Sequence, residues 1–122
     1  MINVWSVSQT LEDTGMLSAD EAKRSTPFCL VACSALSPRL RDIKNEDNPA
    51  VIMACAGIAL YNYTLSVNAG SESFSSFKAG DVTISRNASA AIENAARFRD
   101  EALVAAVPYL TDVDFVFEAV EI

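Results

Sequence analysis

At 122 residues the chain has the size of one domain and is long enough to bury a core without disulfides or metal. Half of its residues are hydrophobic (51%) and 20% are charged, a composition that excludes intrinsic disorder. Its net charge of -7, with no histidine, excludes tight binding to nucleic acid, which depends on clustered Lys and Arg. The composition therefore predicts a single globular domain over residues 1–122.

The N-terminal stretch carries no recognisable targeting signal. Residues 1–10 lack a basic leader and an apolar core of signal-peptide length, so the chain is expected to stay in the cytoplasm. Residues 1–17 mix apolar side chains with the turn-prone Gly15 and predict a short irregular arm. Ser18 and Glu21 have the spacing of a capping box, which predicts a short helix after Ser18 that Pro27 limits.

A second helix is predicted to begin at Thr26 and Pro27, because Thr caps a helix and Pro is tolerated at its first position. Apolar residues then recur at helical spacing as far as Pro38, which bends or ends the helix. The three cysteines of the chain lie inside apolar runs, and they are expected to be buried free thiols. They are Cys29, Cys33 and Cys55.

The longest helix is predicted to begin at Asn48 and Pro49, which repeat the cap and proline signal. Residues 50–60 are apolar on every face, which indicates burial at the centre of the domain or against another subunit. Eleven such residues are too few to cross a bilayer, so no membrane association is expected. The small residues Ala50, Ala54 and Gly57 predict close packing of this helix against another.

The second half of the chain is predicted to contain a loop, one helix and two short strands. Residues 70–86 have loop composition and would project, with Phe74 and Phe77 either folding back on the core or docking into a partner. The last helix covers about 87–107, and strands are predicted near 81–86 and 114–120. The predicted fold class is mainly α, a compact bundle of about four helices with a small β element.

The sequence shows no catalytic, metal or cofactor motif. With no histidine, no CxxC spacing and no glycine-rich phosphate loop, we expect neither a metal site nor a cofactor. The adjacent acid pairs have no recognisable nucleophile or base beside them. The chain is therefore not expected to be an enzyme.

Three segments carry a resemblance to a known family. Over residues 18–122 the order of elements resembles that of the head-tail connector proteins, also called adaptor or head completion proteins, of tailed bacteriophages and prophages. The segments are Ala59-Leu60-Tyr61, Ser76-Phe77-Lys78-Ala79-Gly80-Asp81-Val82-Thr83-Ile84-Ser85, and Arg99-Asp100-Glu101-Ala102 in the helix that leads to Pro108.

The resemblance implies a structural role in virion assembly, in the host cytoplasm and then at the head-tail interface. Such proteins form an oligomeric ring on the portal protein, meet tail-completion proteins, and let DNA pass without specific binding. An acidic chain would repel DNA, which agrees with that role. The implied subunit interface is Phe74, Phe77, Lys78, Ala79, Gly80, Asp81, Val82, Thr83 and Ile84, and Phe115 and Phe117 would contact the portal or a neighbour.

Two other hypotheses remain open at this point. The chain could be a small cytosolic helical protein that dimerises through residues 50–67 and has no phage role. It could also be a small enzyme or ligand-binding module whose pocket lies between the helices and uses carboxylates such as Asp81 or Glu93. A deep pocket with converging polar groups would favour the latter.

Overall fold

The chain folds into five α-helices within the part described by a computed structural model, residues 1–75 and 82–111, with side chains described for 1–68 and 89–111. The helices are α1 (Val4–Asp13), α2 (Ala19–Arg24), α3 (Thr26–Leu36), α4 (Pro49–Ser75) and α5 (Val82–Ala106). Short 3-10 helices cover Ser37–Arg39, Ile43–Asp47 and Val107–Tyr109. The protein is therefore mainly α, as the sequence predicts.

The prediction of an irregular arm over residues 1–17 is wrong, because α1 occupies most of it. Asn3 caps this helix, its side-chain oxygen accepting hydrogen bonds from the backbone N–H of Trp5 at 2.8 Å and of Ser6 at 3.3 Å. Val7 and Leu11 are buried on its inner face. Gly15, with a φ of +76°, turns the chain after the helix ends.

The capping box predicted at Ser18 and Glu21 is present. The Ser18 side chain accepts from the Glu21 N–H at 3.2 Å, and the Glu21 carboxylate accepts from the Ser18 N–H at 3.1 Å. The chain passes from α2 directly into α3, with the Ser25 hydroxyl donating to the Ala22 carbonyl at 2.7 Å. Pro27 lies in the first turn of α3, where its missing N–H costs no hydrogen bond.

Helix α4 is the centre of the fold, and it packs against α1, α3 and α5. Seven of the residues from Val51 to Leu60 are buried, and four of these are Ala or Gly, whose small size keeps the neighbouring helices close. Phe28 of α3 meets Tyr63 of α4 edge to face, with ring centroids 6.1 Å apart. The core therefore lies around the N-terminal half of α4.

The prediction of a strand near 81–86 is wrong over residues 82–86, which form the start of α5. The loop predicted over 70–86 is wrong over residues 70–75 and 82–86, which are helical in α4 and α5. The two helices pack against each other, and helix that continues from a packed region outweighs the β preference of Val82, Thr83 and Ile84. The strand predicted near 114–120 lies outside the described residues.

The base of the α4–α5 hairpin is closed by a short pairing between distant parts of the chain. Leu40 and Leu110 form an isolated antiparallel bridge. On either side of it, the Arg41 N–H donates to the Tyr109 carbonyl at 3.0 Å and the Thr111 N–H donates to the Arg39 carbonyl at 2.6 Å. This pairing joins the ends of α3 and α5.

One segment of α4 is long and apolar enough to be considered as a membrane span. Residues 49–68 have a mean hydropathy of 1.6, and 44% of the most apolar stretch is buried inside the fold. Three helices of the same chain pack against α4. A core helix of a water-soluble protein has the same properties, so this segment does not indicate a membrane protein.

Candidate functional site

Helices α4 and α5 come into close contact at Gly57. A Cβ placed on Gly57 would lie 2.8 Å from the Cα of Arg99, closer than real Cβ atoms approach. Of the other residues predicted to pack closely, Ala54 is fully buried, while Ala50 is half-buried in the first turn. The close packing at Gly57 is thus within one chain, against α5.

Arg99 is buried at this contact, with only 7% of its surface exposed. Its guanidinium carbon lies 4.1 Å from the centroid of the Tyr61 ring, and its Nε donates to the carboxylate of Asp100 at 3.0 Å. A planar guanidinium stacked on an aromatic ring keeps its charge while covering apolar surface. The Arg99 side chain therefore holds α5 against α4 at Tyr61, one helical turn after Gly57.

The burial of Arg99 was not predicted from the sequence, although a signal for it exists. Arg99 lies four residues after Ala95 and four before Leu103, two apolar positions of the same helix face that are both buried. An arginine in that row needs an aromatic or acidic partner on the next helix. Tyr61, part of one of the segments that resemble the connector family, is that partner.

The residues predicted to form a subunit interface lie where α4 passes to α5. Phe74 belongs to the last turn of α4, and Val82, Thr83 and Ile84 to the first turn of α5. Residues 77–81 lie outside the described residues, and so do Phe115 and Phe117. The structure thus brings both ends of the predicted segment to the same end of the hairpin.

A groove of about 390 Å³ lies beside the hairpin, where α4 and α5 meet the turn between α1 and α2. Its walls are mainly apolar. The polar groups at its edge do not converge on one point: the Glu21 carboxylate accepts the Ser18 N–H, and the Asn68 amide donates to the Thr64 carbonyl at 2.8 Å. The lining residues of hydrophobic type are Met16, Leu17, Leu60, Tyr63, Val67, Ala91, Ala95 and Phe98.

The three cysteines are buried free thiols, as the sequence predicts. Cys29 lies 3.7 Å from the Ser25 hydroxyl, and burial raises the pKa of its thiol. The Cys55 thiol is hydrogen-bonded to Cys33, which raises the pKa of Cys55 and lowers that of Cys33, and burial raises the pKa of Cys55 further. Within residues 1–75 and 82–111 no group of three Cys, Asp or Glu side chains is arranged to hold a metal ion.

Glu93 is exposed on α5 and does not line the groove, and Asp81 lies outside the described residues. The groove, the Gly57–Arg99 contact and the end of the hairpin are therefore the features on which a function can be argued. No protein-family model matches the chain, and no curated protein or solved structure gives a significant match.

Proposed function

We propose that the chain is a head-tail connector subunit of a phage or prophage particle, a structural protein that assembles into a ring between the portal and the tail. Its support comes from the resemblance of the three sequence segments and from a mainly helical fold. The observation that carries the proposal is that Phe74 ends α4 and that Val82, Thr83 and Ile84 begin α5, at the same end of a long helical hairpin.

Both helices of the hairpin continue beyond the last buried residue among their described side chains. In α4 the last buried residue among those with described side chains is Tyr63, and the helix continues for twelve residues to Ser75. At about 1.5 Å per residue, that is about 18 Å of helix. Helix α5 begins at Val82, and the first buried residue among its described side chains is Ala95. The connection from α4 to α5 is thus far from the Leu40–Leu110 pairing.

A long hairpin suits contact between subunits only if its arms are fixed relative to the core. The Gly57–Arg99 contact and the stacking of Arg99 on Tyr61 both lock α5 onto α4 at the base of the arms. Such an arm can place Phe77 and its neighbours on the next subunit of a ring, at a distance that the helix length sets. A strand near 114–120, in contact with the portal or a neighbour, is the remaining part of this proposal.

The acidity of the chain is compatible with a channel for DNA. The chain has sixteen acidic and nine basic residues, so a ring of many copies would carry a strong negative charge. Such a ring repels the phosphate backbone and lets DNA slide.

The direct test is assembly on a portal protein, which the proposal expects to be encoded by a gene near the gene for this chain. The two proteins are mixed, and the mass of the complex is measured by light scattering after size-exclusion chromatography, with the chain alone as reference. We expect a complex containing many copies of the chain, whether or not the chain alone is monomeric. A chain that stays unbound at micromolar concentration would contradict the proposal.

A pair of variants locates the contact. Phe77→Ser should reduce assembly at least about tenfold, since buried aromatic anchors carry much of the energy of an interface. The control is Glu93→Gln, an exposed position of α5 outside the segment. Equal assembly by both variants would show that the segment around Phe77 is not the contact.

The groove favours a second candidate, a ligand-binding domain without a phage role. At about 390 Å³ it has the volume of a small-molecule site and mainly apolar walls. Ala95→Phe would fill it from the α5 side, and Arg97→Gln is an exposed control on the same helix. A small apolar compound that raises the melting temperature of the control but not of Ala95→Phe would support this candidate.

A further inference from the structure

Helices α1 and α3 expose large apolar side chains on one surface of the protein. Trp5 of α1 is 73% exposed, and Leu30 and Val31 of α3 are 49% and 59% exposed. A helix of a soluble domain normally carries charged residues on its outer face, whereas residues 26–38 contain none. Exposed apolar surface of this kind marks an interaction site. This patch, the α1–α3 surface, comprises Trp5, Pro27, Leu30, Val31, Ala35 and Pro38.

Trp5 belongs to the same patch because α1 runs alongside α3. The Ile2 N–H donates to the Ser37 hydroxyl, just after the end of α3, at 2.9 Å. The Ser8 hydroxyl donates to the Ala22 carbonyl, shortly before the start of α3, at 3.3 Å. Trp5 lies between these two contacts and therefore beside the middle of α3. Two helices side by side leave a shallow groove between them, into which a third helix can pack.

Basic residues lie at both ends of this apolar surface. Residues 22–41 carry four basic residues and no acid, so all sixteen acids of the chain lie outside this stretch. Lys23 and Arg24, before the start of α3, are exposed and form no ion pair with any described residue. Arg41 is exposed beyond the other end of α3. An acidic chain thus has one uncharged apolar helix face with exposed cations at its two ends.

Three of the acids nearest to these cations already have partners. The Glu21 carboxylate accepts the Ser18 N–H at 3.1 Å, and the Asp42 carboxylate accepts the Lys44 N–H at 2.9 Å. The Glu46 carboxylate is paired with the N-terminal amine at 3.1 Å. Lys23 and Arg24 therefore remain available to an acidic partner.

A second copy of the chain fits this surface poorly. Two-fold pairing of α3 with α3 brings Lys23 and Arg24 against Arg41 if the helices are antiparallel, or against themselves if they are parallel. Like charges meet in both cases and repel. An anionic bilayer is also unfavourable, because the chain as a whole carries a charge of -7.

An extended peptide has nothing to pair with at this surface. Such peptides bind by adding a strand to an exposed sheet edge, and within residues 1–75 and 82–111 the β pairing consists of the isolated Leu40–Leu110 bridge. A helix, by contrast, needs only an apolar groove. We infer that the α1–α3 surface binds an acidic amphipathic helix of another protein. Its apolar residues pack on Trp5, Leu30 and Val31, and its acids lie against the cations at both ends.

The length of α3 sets the length of this partner helix. The eleven residues of α3 span about 17 Å, and the 3-10 helix that follows adds about 6 Å. A partner helix of about sixteen residues, about 24 Å long, therefore reaches from Arg24 to Arg41. This inference goes beyond the proposed function and does not depend on it.

The test uses Trp5, the single tryptophan of the chain, as the reporter. The probe is a synthetic helical peptide of about sixteen residues, with Leu along one face and Glu at both ends, and the control peptide has Lys in place of each Glu. We expect the glutamate peptide to move the emission of Trp5 to shorter wavelength, as contact with Leu removes its ring from water. The lysine peptide should bind at least about tenfold more weakly.

Variants of the full chain locate the contact. Leu30→Ser should weaken binding of the glutamate peptide at least about tenfold, while Val104→Ser, at an exposed position of α5, should leave it unchanged. Lys23→Glu with Arg24→Glu should weaken the glutamate peptide and tighten the lysine peptide. Damage to the fold would not produce such a change of preference.

Four results would overturn the inference. The first is an unchanged Trp5 emission up to about 1 mM glutamate peptide. The second is equal binding of the two peptides, because the cations would then select nothing. The third is a shift that appears when the chain alone is concentrated, together with a doubled mass in light scattering, which would assign the surface to a second copy. The fourth is a shift with phosphatidylglycerol vesicles but not with the peptide. No portal protein is present, so none of these results bears on the proposed function.

Discussion

Gly57 of α4 packs directly against the backbone of Arg99 of α5, with no room for a methyl group between them. A Cβ on Gly57 would lie 2.8 Å from the Arg99 Cα and 3.4 Å from the Arg99 nitrogen. The atom in the way is backbone, which cannot rotate aside. The separation of the two longest helices is therefore fixed at this point.

Gly57→Ala should destabilise the protein by about 1 to 3 kcal/mol, because the added methyl group forces α4 and α5 apart. Alanine favours helix over glycine by about 1 kcal/mol, so helix propensity alone predicts the opposite sign. The free energy of unfolding is measured in urea, with Ser66→Ala at an exposed position of α4 as the control. A gain in stability for Gly57→Ala would show that the helices are not in close contact there.

Arg99 and Tyr61 should be energetically coupled. A double-mutant cycle with Arg99→Met and Tyr61→Leu is expected to give a coupling energy of about 0.5 to 2 kcal/mol, as for a partly desolvated stack of guanidinium on an aromatic ring. The control cycle replaces Arg99→Met with Arg97→Met, at an exposed position, and should give coupling near zero. Equal coupling in the two cycles would contradict a specific contact.

The native thiols should resist modification at pH 8. All three are fully buried, and the raised pKa of Cys29 and Cys55 keeps those thiols in the unreactive protonated form at a pH where a free thiol is partly ionised. Raising the pH from 8 to 9 should therefore increase the rate at which these thiols react with a disulfide reagent much less in the folded chain than in the chain unfolded in urea. The exposed Ser34→Cys is the positive control, and fast reaction of the unaltered native chain would disprove this burial.

Arg41→Ala should loosen the base of the hairpin. The Arg41 Nε donates to the Leu110 carbonyl at 2.6 Å, a charged hydrogen bond between residues far apart in the chain. Its loss is expected to cost about 1 to 2 kcal/mol and to speed hydrogen exchange at the Thr111 amide. Lys44→Ala, at an exposed position nearby, should change neither quantity. Unaltered exchange at Thr111 in Arg41→Ala would show that the side chain does not hold this end.

Signals that lie within a few residues of one another were readable from the sequence. The capping box at Ser18 and Glu21, the start of α4 at Pro49 and the burial of the cysteines each depend on local spacing or on an apolar run, and the structure confirms them. The cap at Asn3 is of the same kind. Gly15 does not make residues 1–17 irregular, because it turns the chain only after α1 has ended.

Features that depend on contact between distant segments could not be predicted in this way. Residues 82–86 have the β-branched residues of a strand, yet they are helical as the start of α5. The loop predicted from residue 70 fails for the same reason, since Gly70 lies inside α4. The pairing of Leu40 with Leu110 and the stacking of Arg99 on Tyr61 join residues that no local pattern relates.

The bridge between Leu40 and Leu110 holds together the two ends of the chain segment that forms the hairpin. Whole turns of helix can then be inserted in or deleted from both arms at matching places without disturbing the helices at the base. The distance from the Leu40–Leu110 bridge to the Phe74–Ile84 segment can therefore change with the length of the two helices, whereas the bridge itself stays the same.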